Sequence, residues 1–426
     1  MQKADSGHDG DDGGGLKWLY LDMNAFFASC EQQMRPELRR RPLIVVPVKS
    51  AYTCAIAASA EAKALGIKTG TQVALARQMC PGLVEIEARP DLYVDIHHRI
   101  LGVVDTVIPV DKVCSIDEVA CRLMGPQRHE AAARALSHRI QTRILERVGE
   151  CLTASIGIAP SRMLAKTAAD MMKPLGMTVL RMDTLPGALL DLDVGDFPGI
   201  GTAMKGRLFK AGISEVRQLW HLSPSRLRQL WGGIGGDNFW YSLHGIDPPE
   251  TVTERHSISH SHVLASELRP VEAARPVARR LTVKCGTRLR RMGFKCGGLH
   301  LSIRGVQSGR AQAERVFPAT SDTFRLLEAI DDMWRQCART LNQPRIQKVS
   351  VTCLKMIPAD TPPDLFGYSP AVQEDGRHMK LLKALDGLNE RFGKDRVSIG
   401  PRPKLHDFVG AKIAFNRVPE VEEFWE

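Results

Sequence analysis

The sequence contains no apolar run near the ~18 residues that a membrane-spanning helix needs, so insertion into a bilayer is not expected. It has ten cysteines but no C-x-x-C pair, and most sit in apolar contexts, as Cys30, Cys54, Cys121 and Cys353 do. That pattern speaks against a zinc site or a disulfide framework and predicts small buried hydrophobes in a reducing cytosol. The first fifteen residues are rich in glycine and aspartate and lack the apolar core of a signal peptide. Residues 1–15 therefore read as a disordered tail, and the protein as cytoplasmic. Acids nearly vanish from one stretch: between Arg269 and Arg310 stand eleven lysines and arginines and one acid, Glu272. With a formal net charge of +10, this suits a polyanion partner better than a membrane. A length of 426 residues predicts roughly two to four domains.

What is present is sharpest in two short stretches, Leu19-Tyr20-Leu21-Asp22-Met23-Asn24-Ala25-Phe26-Phe27 and Ser115-Ile116-Asp117-Glu118. Each is an apolar run that ends in carboxylate. A buried strand that delivers acids at its end is a common way to build a hard-metal site on a sheet. Acids side by side repel one another, and burying them unpaired is costly. Magnesium removes both problems. Three carboxylates from two strands can hold two magnesium ions, the arrangement used for in-line phosphoryl or nucleotidyl transfer. The plainer reading, that Asp117-Glu118 only starts a turn, loses ground once Asp22 and its Phe26-Phe27 pair are set beside it.

Strands are predicted over 16–22 and 42–48, and helices over 25–34, 57–65, 93–107 and 131–148. This alternation implies an α/β sheet with helices on one face. Asp196-Phe197-Pro198-Gly199-Ile200-Gly201, followed by Met204-Lys205-Gly206-Arg207-Leu208, has the form of a helix-hairpin-helix. Gly199 and Gly201 would let backbone N–H groups face a phosphate, although such a turn needs no ligand to exist. Ser223 reads as an N-cap with Pro224 at the first helical position, within a helical stretch to Tyr241. Residues 248–262 look like a linker. Beyond it, helices over 271–292 and 321–341 alternate with strands over 299–303 and 346–355. Past Pro358 the chain turns proline-rich, and Leu381, Leu382, Leu385, Leu388 and Phe392 mark one more amphipathic helix.

Several of these stretches carry a family likeness. The segment Asp22 to Glu31, Ala60-Glu61-Ala62-Lys63-Ala64-Leu65-Gly66, Ser155-Ile156-Gly157-Ile158-Ala159 and the run from Leu164 to Pro174 resemble motifs of the Y-family translesion DNA polymerases, bacterial DinB and UmuC branch. The likeness runs in unbroken order over residues 16–357. It implies an α/β multidomain right-hand polymerase with palm, small fingers, helix-hairpin-helix thumb and an α+β little-finger domain. The implied boundaries are palm 16–190 with fingers inserted at about 40–90, thumb 191–247, linker 248–262, little finger 263–358 and a C-terminal extension 359–426. The activity implied is template-directed, error-prone DNA synthesis during repair or damage tolerance, with two magnesium ions per site.

By the same resemblance, Asp22 and Asp117 bridge both ions, the Met23 carbonyl adds a ligand to one, and Glu118 joins the ion that activates the primer hydroxyl. Phe27 would act as a steric gate, its ring leaving no room for a ribose 2′ hydroxyl. Phe26 is a further nucleotide contact or a core residue. Lys63 and Lys173 fall at the family's triphosphate positions. The Tyr-Glu-Ala-Arg of DinB is here Ala60-Glu61-Ala62-Lys63, so a phenol is lost and a bidentate arginine becomes a point charge. Ala58 also replaces a basic residue of UmuC-type chains. Cys54, Ile56 and Ala57 would form a small ceiling over the nascent pair. Arg279, Arg280, Lys284, Arg288, Arg290 and Arg291 are candidate phosphate contacts to primer-template DNA. Pro362-Pro363-Asp364-Leu365-Phe366 resembles a sliding-clamp peptide without its glutamine, with Leu365 and Phe366 as anchors. Damage-response accessory subunits are further partners that the UmuC likeness implies. Two other readings stay open: a non-catalytic DNA-damage scaffold, against which the three acids argue, and a nucleotide cyclase, against which the hairpin and the basic region argue.

Overall fold

Three sheets organise the chain. The computed structural model describes residues 15–48, 51, 53–249, 256–307, 309–361, 376–393, 396–400 and 418. The fold divides into two units, one taking the described residues up to 249 and the other those from 256 to 400.

The first unit opens with β1 (Trp18–Met23), α1 (Phe26–Met34), β2 (Leu43–Val46) and β3 (Ala57–Ala58). Next come α2 (Ala60–Ala64), α3 (Val73–Met79), β4 (Val84–Glu87) and α4 (Pro90–Asp105). β5 (Lys112–Val113), β6 (Glu118–Arg122), α5 (Glu130–Arg147), β7 (Ala154–Ala159), α6 (Arg162–Met171) and β8 (Met177–Val179) complete the α/β part. Its main sheet has the order β5-β6-β1-β7-β8, and a small sheet β3-β2-β4 lies with α2 and α3. The helix expected over 57–65 begins only at Ala60. Ala57 and Ala58 pair with Val45 and Ile44, and the Ser59 hydroxyl then caps α2 by accepting from the Ala62 N–H.

β1 is buried along its whole length, as a central strand covered on both sides must be. Its side chains alternate. Leu19, Leu21 and Met23 enter a core with Tyr93, Ile100 and Ile140 of α4 and α5. Trp18 and Tyr20 enter another with Leu164, Ala165 and Ala168 of α6. Helices therefore lie on both faces of this sheet, which corrects the one-face expectation. Period two places Asp22 on the α6 side with Tyr20. Gly157 of β7, opposite Tyr20, lets α6 come that close: a Cβ there would lie 2.0 Å from the Ala165 carbonyl oxygen and 2.4 Å from the Ala169 nitrogen.

Four helices follow, α7 (Thr202–Lys210), α8 (Val216–Trp220), α9 (Pro224–Trp231) and α10 (Ile234–Leu243). Ser223 does cap α9, accepting from the Arg226 N–H ahead of Pro224.

The second unit contains β9 (Ile258–Val263), α11 (Val271–Arg291), β10 (Phe294–Gly305), β11 (Arg310–Thr320), α12 (Thr323–Leu341), β12 (Ile346–Pro358) and α13 (Gly376–Phe392). Its antiparallel sheet has the order β11-β10-β12-β9. Leu299, Leu301, Ile303, Val349 and Val351 pack with Leu281, Leu289, Leu326 and Ile330 of α11 and α12. β9 begins inside the stretch expected to be a linker and ends one residue past it, and β11 was not expected at all. Their inward positions explain the miss: His260 and His262 on β9, and Ala311 and Ala313 on β11, give little hydrophobic alternation. Cysteines 30, 121 and 353 are buried as expected, whereas Cys54 is exposed. Among the described residues no helix is long and apolar enough to cross a membrane. Leu365 and Phe366 lie outside the described residues.

Candidate active site

Strand pairing brings the acids together. Asp22 at the end of β1 stands opposite Glu118 at the start of β6 and opposite Ser155 on β7. The Met23 N–H donates to the Asp117 carbonyl at 2.9 Å, so Asp117 sits one step past the pair on the same edge. Asp22 is only 4% exposed. The turn that carries Asp117 is tied by its own side chains: the Ser115 hydroxyl hydrogen-bonds the Asp117 carboxylate and accepts from the Asp117 N–H at 3.3 Å. Asn24, just after Asp22, is anchored by Ser155 donating to its Oδ1 at 3.0 Å and by its own Nδ2 donating to Thr153 Oγ1 at 3.2 Å.

Cations answer these acids from α6 and the segment after it. Lys166 Nζ contacts both Asp22 Oδ2 and Glu118 Oε1, and lies 3.2 Å from Asp170 Oδ2. Lys173 Nζ is 2.7 Å from Asp22 Oδ1 and 2.7 Å from Asp170 Oδ1. Tyr20 donates its hydroxyl to Glu118 Oε2 at 3.0 Å. Burial pushes the Glu118 carboxyl up, but the Lys166 ammonium outweighs it and the group ends below its ordinary value. Burial also opposes charge on Lys166, yet Asp22 and Glu118 hold its pKa well above the ordinary lysine value. Asp117 is different: burial, with the Asp22 and Glu118 charges, raises its pKa against the Ser115 hydrogen bond. Lys63 is shifted down, by burial first and then by the Lys173 charge, which places the two lysines in one electrostatic neighbourhood with Asp22 and Asp117.

The donor set is all oxygen, two aspartates and a glutamate on a rigid sheet edge, and such a set suits a hard cation such as magnesium. Among the described residues no three His, Cys, Asp or Glu side chains converge as a ready cage, because Asp22 and Glu118 converge on Lys166.

The two phenylalanines part ways. Phe26 is 3% exposed and belongs to the apolar core. Phe27 is half-buried and stacks on Tyr93 of α4, ring centroids 4.5 Å apart and planes inclined by 18°. Tyr93 in turn donates to Glu31 Oε1 at 2.8 Å, and the buried Glu31 carboxylate is gripped by the Arg89 guanidinium at 2.6 and 3.1 Å. Lys166, Asp170 and Tyr93 were not singled out from the sequence. The signal was present for the first two: Lys166, Asp170 and Lys173 recur at the spacing of one helical face.

Gly199 has φ +94, a conformation that favours glycine, and Gly201 is the N-cap of α7. In the second unit some of the helical arginines expected to face DNA have partners within the unit. Arg279 and Arg275 pair with Asp331, the latter at 3.1 Å. Arg290 is 2.7 Å from Asp386 of α13 and also donates to the Ser321 carbonyl and Thr323 hydroxyl. Arg288 is 8% exposed. Arg279, Arg288 and Arg290 are engaged within the unit itself, while Arg280 and Lys284 are half-buried and Arg291 is exposed. The sheet face away from α11 and α12 carries another basic set. Arg310, Arg304 and Lys348 align side by side across β11, β10 and β12, and the next row is Gln312, Ser302, Ser350 and Ser261.

A sheet edge of paired carboxylates with lysines opposite is the kind of arrangement that suits metal-assisted phosphoryl or nucleotidyl transfer. Residues 21–170 match the impB/mucB/samB family and residues 255–363 match its C-terminal domain. DNA polymerase IV of Moorella thermoacetica is 31% identical over 388 residues, 88% of this chain and 93% of that one. DNA polymerase IV of Bacillus velezensis is 28% identical over 415 residues, 94% of this chain and 96% of that one. The fold resembles a Y-family DNA polymerase chimera of Dbh and Dpo4, with a TM-score of 0.67, 21% identity, and 80% of this chain and 99% of that one covered. It also resembles an insertion ternary complex of Dbh DNA polymerase, with a TM-score of 0.52, 22% identity and the same coverage. The chain belongs to the impB/mucB/samB family of Y-family DNA polymerases.

Proposed function

We propose that this Y-family enzyme carries out template-directed, error-prone DNA synthesis of the translesion type through Asp22, Asp117 and Glu118. The observation that carries the proposal is the strand-end pairing of Asp22 with Glu118, with Asp117 tied beside them. The three carboxylates and the Met23 carbonyl would hold two magnesium ions, which when bound activate the primer 3′ hydroxyl and neutralise the pyrophosphate. Lys173 and Lys63 meet the triphosphate from the α6 and fingers sides. Lys166 keeps Asp22 and Glu118 drawn together. Phe27, backed by Tyr93, meets the sugar, while Phe26 supports it from the core. Primer-template phosphates would run past the Gly199–Gly201 turn and over the Arg310-Arg304-Lys348 row, with Arg291, Arg280 and Lys284 as peripheral contacts. Sliding-clamp docking through Leu365 and Phe366, and accessory subunits, extend the same proposal. In domain terms we propose palm 16–190, thumb 191–247 and little finger from β9 onward.

Asp22→Ala or Asp117→Ala should reduce nucleotide incorporation by roughly a thousandfold or more, with primer-template affinity near parental. Primer extension on undamaged and abasic templates, beside a gel-shift measurement, checks both. Near-parental extension by either variant would remove that aspartate from the catalytic set and overturn the proposed three-carboxylate site.

A further inference from the structure

Helix α4 buries a face of Val94, Ile96, Ile100 and Val103, and two polar side chains lie in it, Tyr93 and His97. Tyr93 uses its hydroxyl on Glu31, behind the Phe27 ring. His97, one turn further on, is 2% exposed, and its Nδ1 lies 2.7 Å from the Ile116 carbonyl oxygen. A carbonyl can only accept, so Nδ1 carries the proton in this contact. Burial pushes the His97 pKa down to about 4, which keeps the ring neutral near pH 7. A buried imidazole is costly unless its polar atoms are bonded, so the bond to Ile116 is not incidental packing.

Ile116 lies in the turn between β5 and β6, and several other backbone groups of that turn are bonded as well. The Glu118 carbonyl accepts from the Cys114 and Ser115 N–H groups at 2.9 and 3.2 Å. The Asp117 carbonyl accepts from Met23, and the Asp117 N–H goes to the Ser115 hydroxyl. The peptide between Ile116 and Asp117 is thus held at its N–H by the Ser115 hydroxyl and at its carbonyl by α4, while β1 holds the next peptide through the Asp117 carbonyl. We infer that His97 is a positioning residue for the Asp117 carboxylate, its Nδ1–H fixing the Ile116–Asp117 peptide and so the reach of the carboxylate over the strand end. The inference rests on Asp117 acting as a magnesium ligand, as proposed above. It assigns α4 a double task, since the same helix backs the Phe27 ring.

Two variants separate positioning from filling. Asn can place its amide nitrogen near the Nδ1 position and still donate, whereas Leu fills the space and donates nothing. His97→Leu should lower kcat about tenfold while leaving the nucleotide KM near parental, and His97→Asn should recover most of the loss. The second readout needs no turnover. Mn2+ is titrated into the complex with a dideoxy-terminated primer-template and a deoxynucleoside triphosphate, and free Mn2+ is followed by its electron spin resonance signal. His97→Leu should raise half-saturating Mn2+ about tenfold, and His97→Asn should bring it back. Parental values for His97→Leu in both measurements would overturn the inference. So would a His97→Asn variant no better than His97→Leu, since the imidazole would then only fill the core. Asp117→Asn is run beside them: if it too binds Mn2+ and extends primers like the parent, Asp117 is not a ligand and the reading beneath the inference falls with it.

Discussion

At the scale of single residues, the Phe27 ring is held rather than loose. Its stacking on Tyr93, itself fastened to Glu31 and Arg89, limits how far the ring can turn, which suits the proposed role against the sugar. Phe27→Ala should therefore raise ribonucleotide use more than it lowers deoxynucleotide use. Direct competition of the two triphosphates on one template measures the ratio, and an unchanged ratio would make Phe27 a packing residue. His97 makes a separate demand at acid pH. Its folded pKa of about 4 lies below the ordinary histidine value of 6.5, so the unfolded chain binds the extra proton first. Stability from this group is fully present above pH 6.5 and declines as pH falls toward 4, by about 3 kcal/mol in all. His97→Asn should flatten that part of the stability profile in urea denaturation followed across pH. The residue-level site was partly legible in the sequence. Asp22, Asp117 and Glu118 announce themselves by ending apolar runs. Lys166 shows only a helical spacing with Asp170 and Lys173, because its partners Asp22 and Glu118 belong to other elements and only β1–β6 pairing unites them.

At the scale of elements, the contact between α6 and the main sheet decides where the lysines stand. Gly157 makes that contact possible, and any side chain there meets the backbone of α6 rather than a movable tip. Gly157→Ala should cost about 1–3 kcal/mol in denaturant unfolding and lower primer extension beyond the loss of folded protein, since it pushes Lys166 away from Asp22. Equal specific activity after correction for folded fraction would detach α6 placement from catalysis. The helices α4, α5, α11 and α12 were readable because long apolar periodicities survive substitution. β9 and β11 were not. Their inward residues include alanine and histidine, and a strand packed through small or polar groups carries little period-two signal.

At the scale of the whole molecule, the net charge of +10 has to be divided between charges that hold the protein together and charges free to meet DNA. Arg279 and Arg290 fall in the first group through Asp331 and Asp386. We propose that the Arg310-Arg304-Lys348 row falls in the second by its place on the sheet face away from the helices, with Arg310 also donating to the Ser302 hydroxyl at 2.7 Å. Replacing all three of that row by Ala should weaken primer-template binding and flatten the log–log salt dependence by roughly 2 to 3. Arg279→Ala with Arg290→Ala should instead lower the unfolding temperature and leave the salt slope near parental. The reverse outcome would move the DNA to the helical side of the second unit.

Because the side chains of β1 alternate between two cores, the strand tolerates no odd shift. Gain or loss of one codon between Trp18 and Asp22 would turn the aspartate toward the apolar side and a hydrophobic neighbour toward Lys166. The hydropathy of the segment would scarcely change, so such a gene would still encode a chain of polymerase appearance. Its product would be inert by register alone, and descent from a working enzyme to a silent paralogue would need no lost acid.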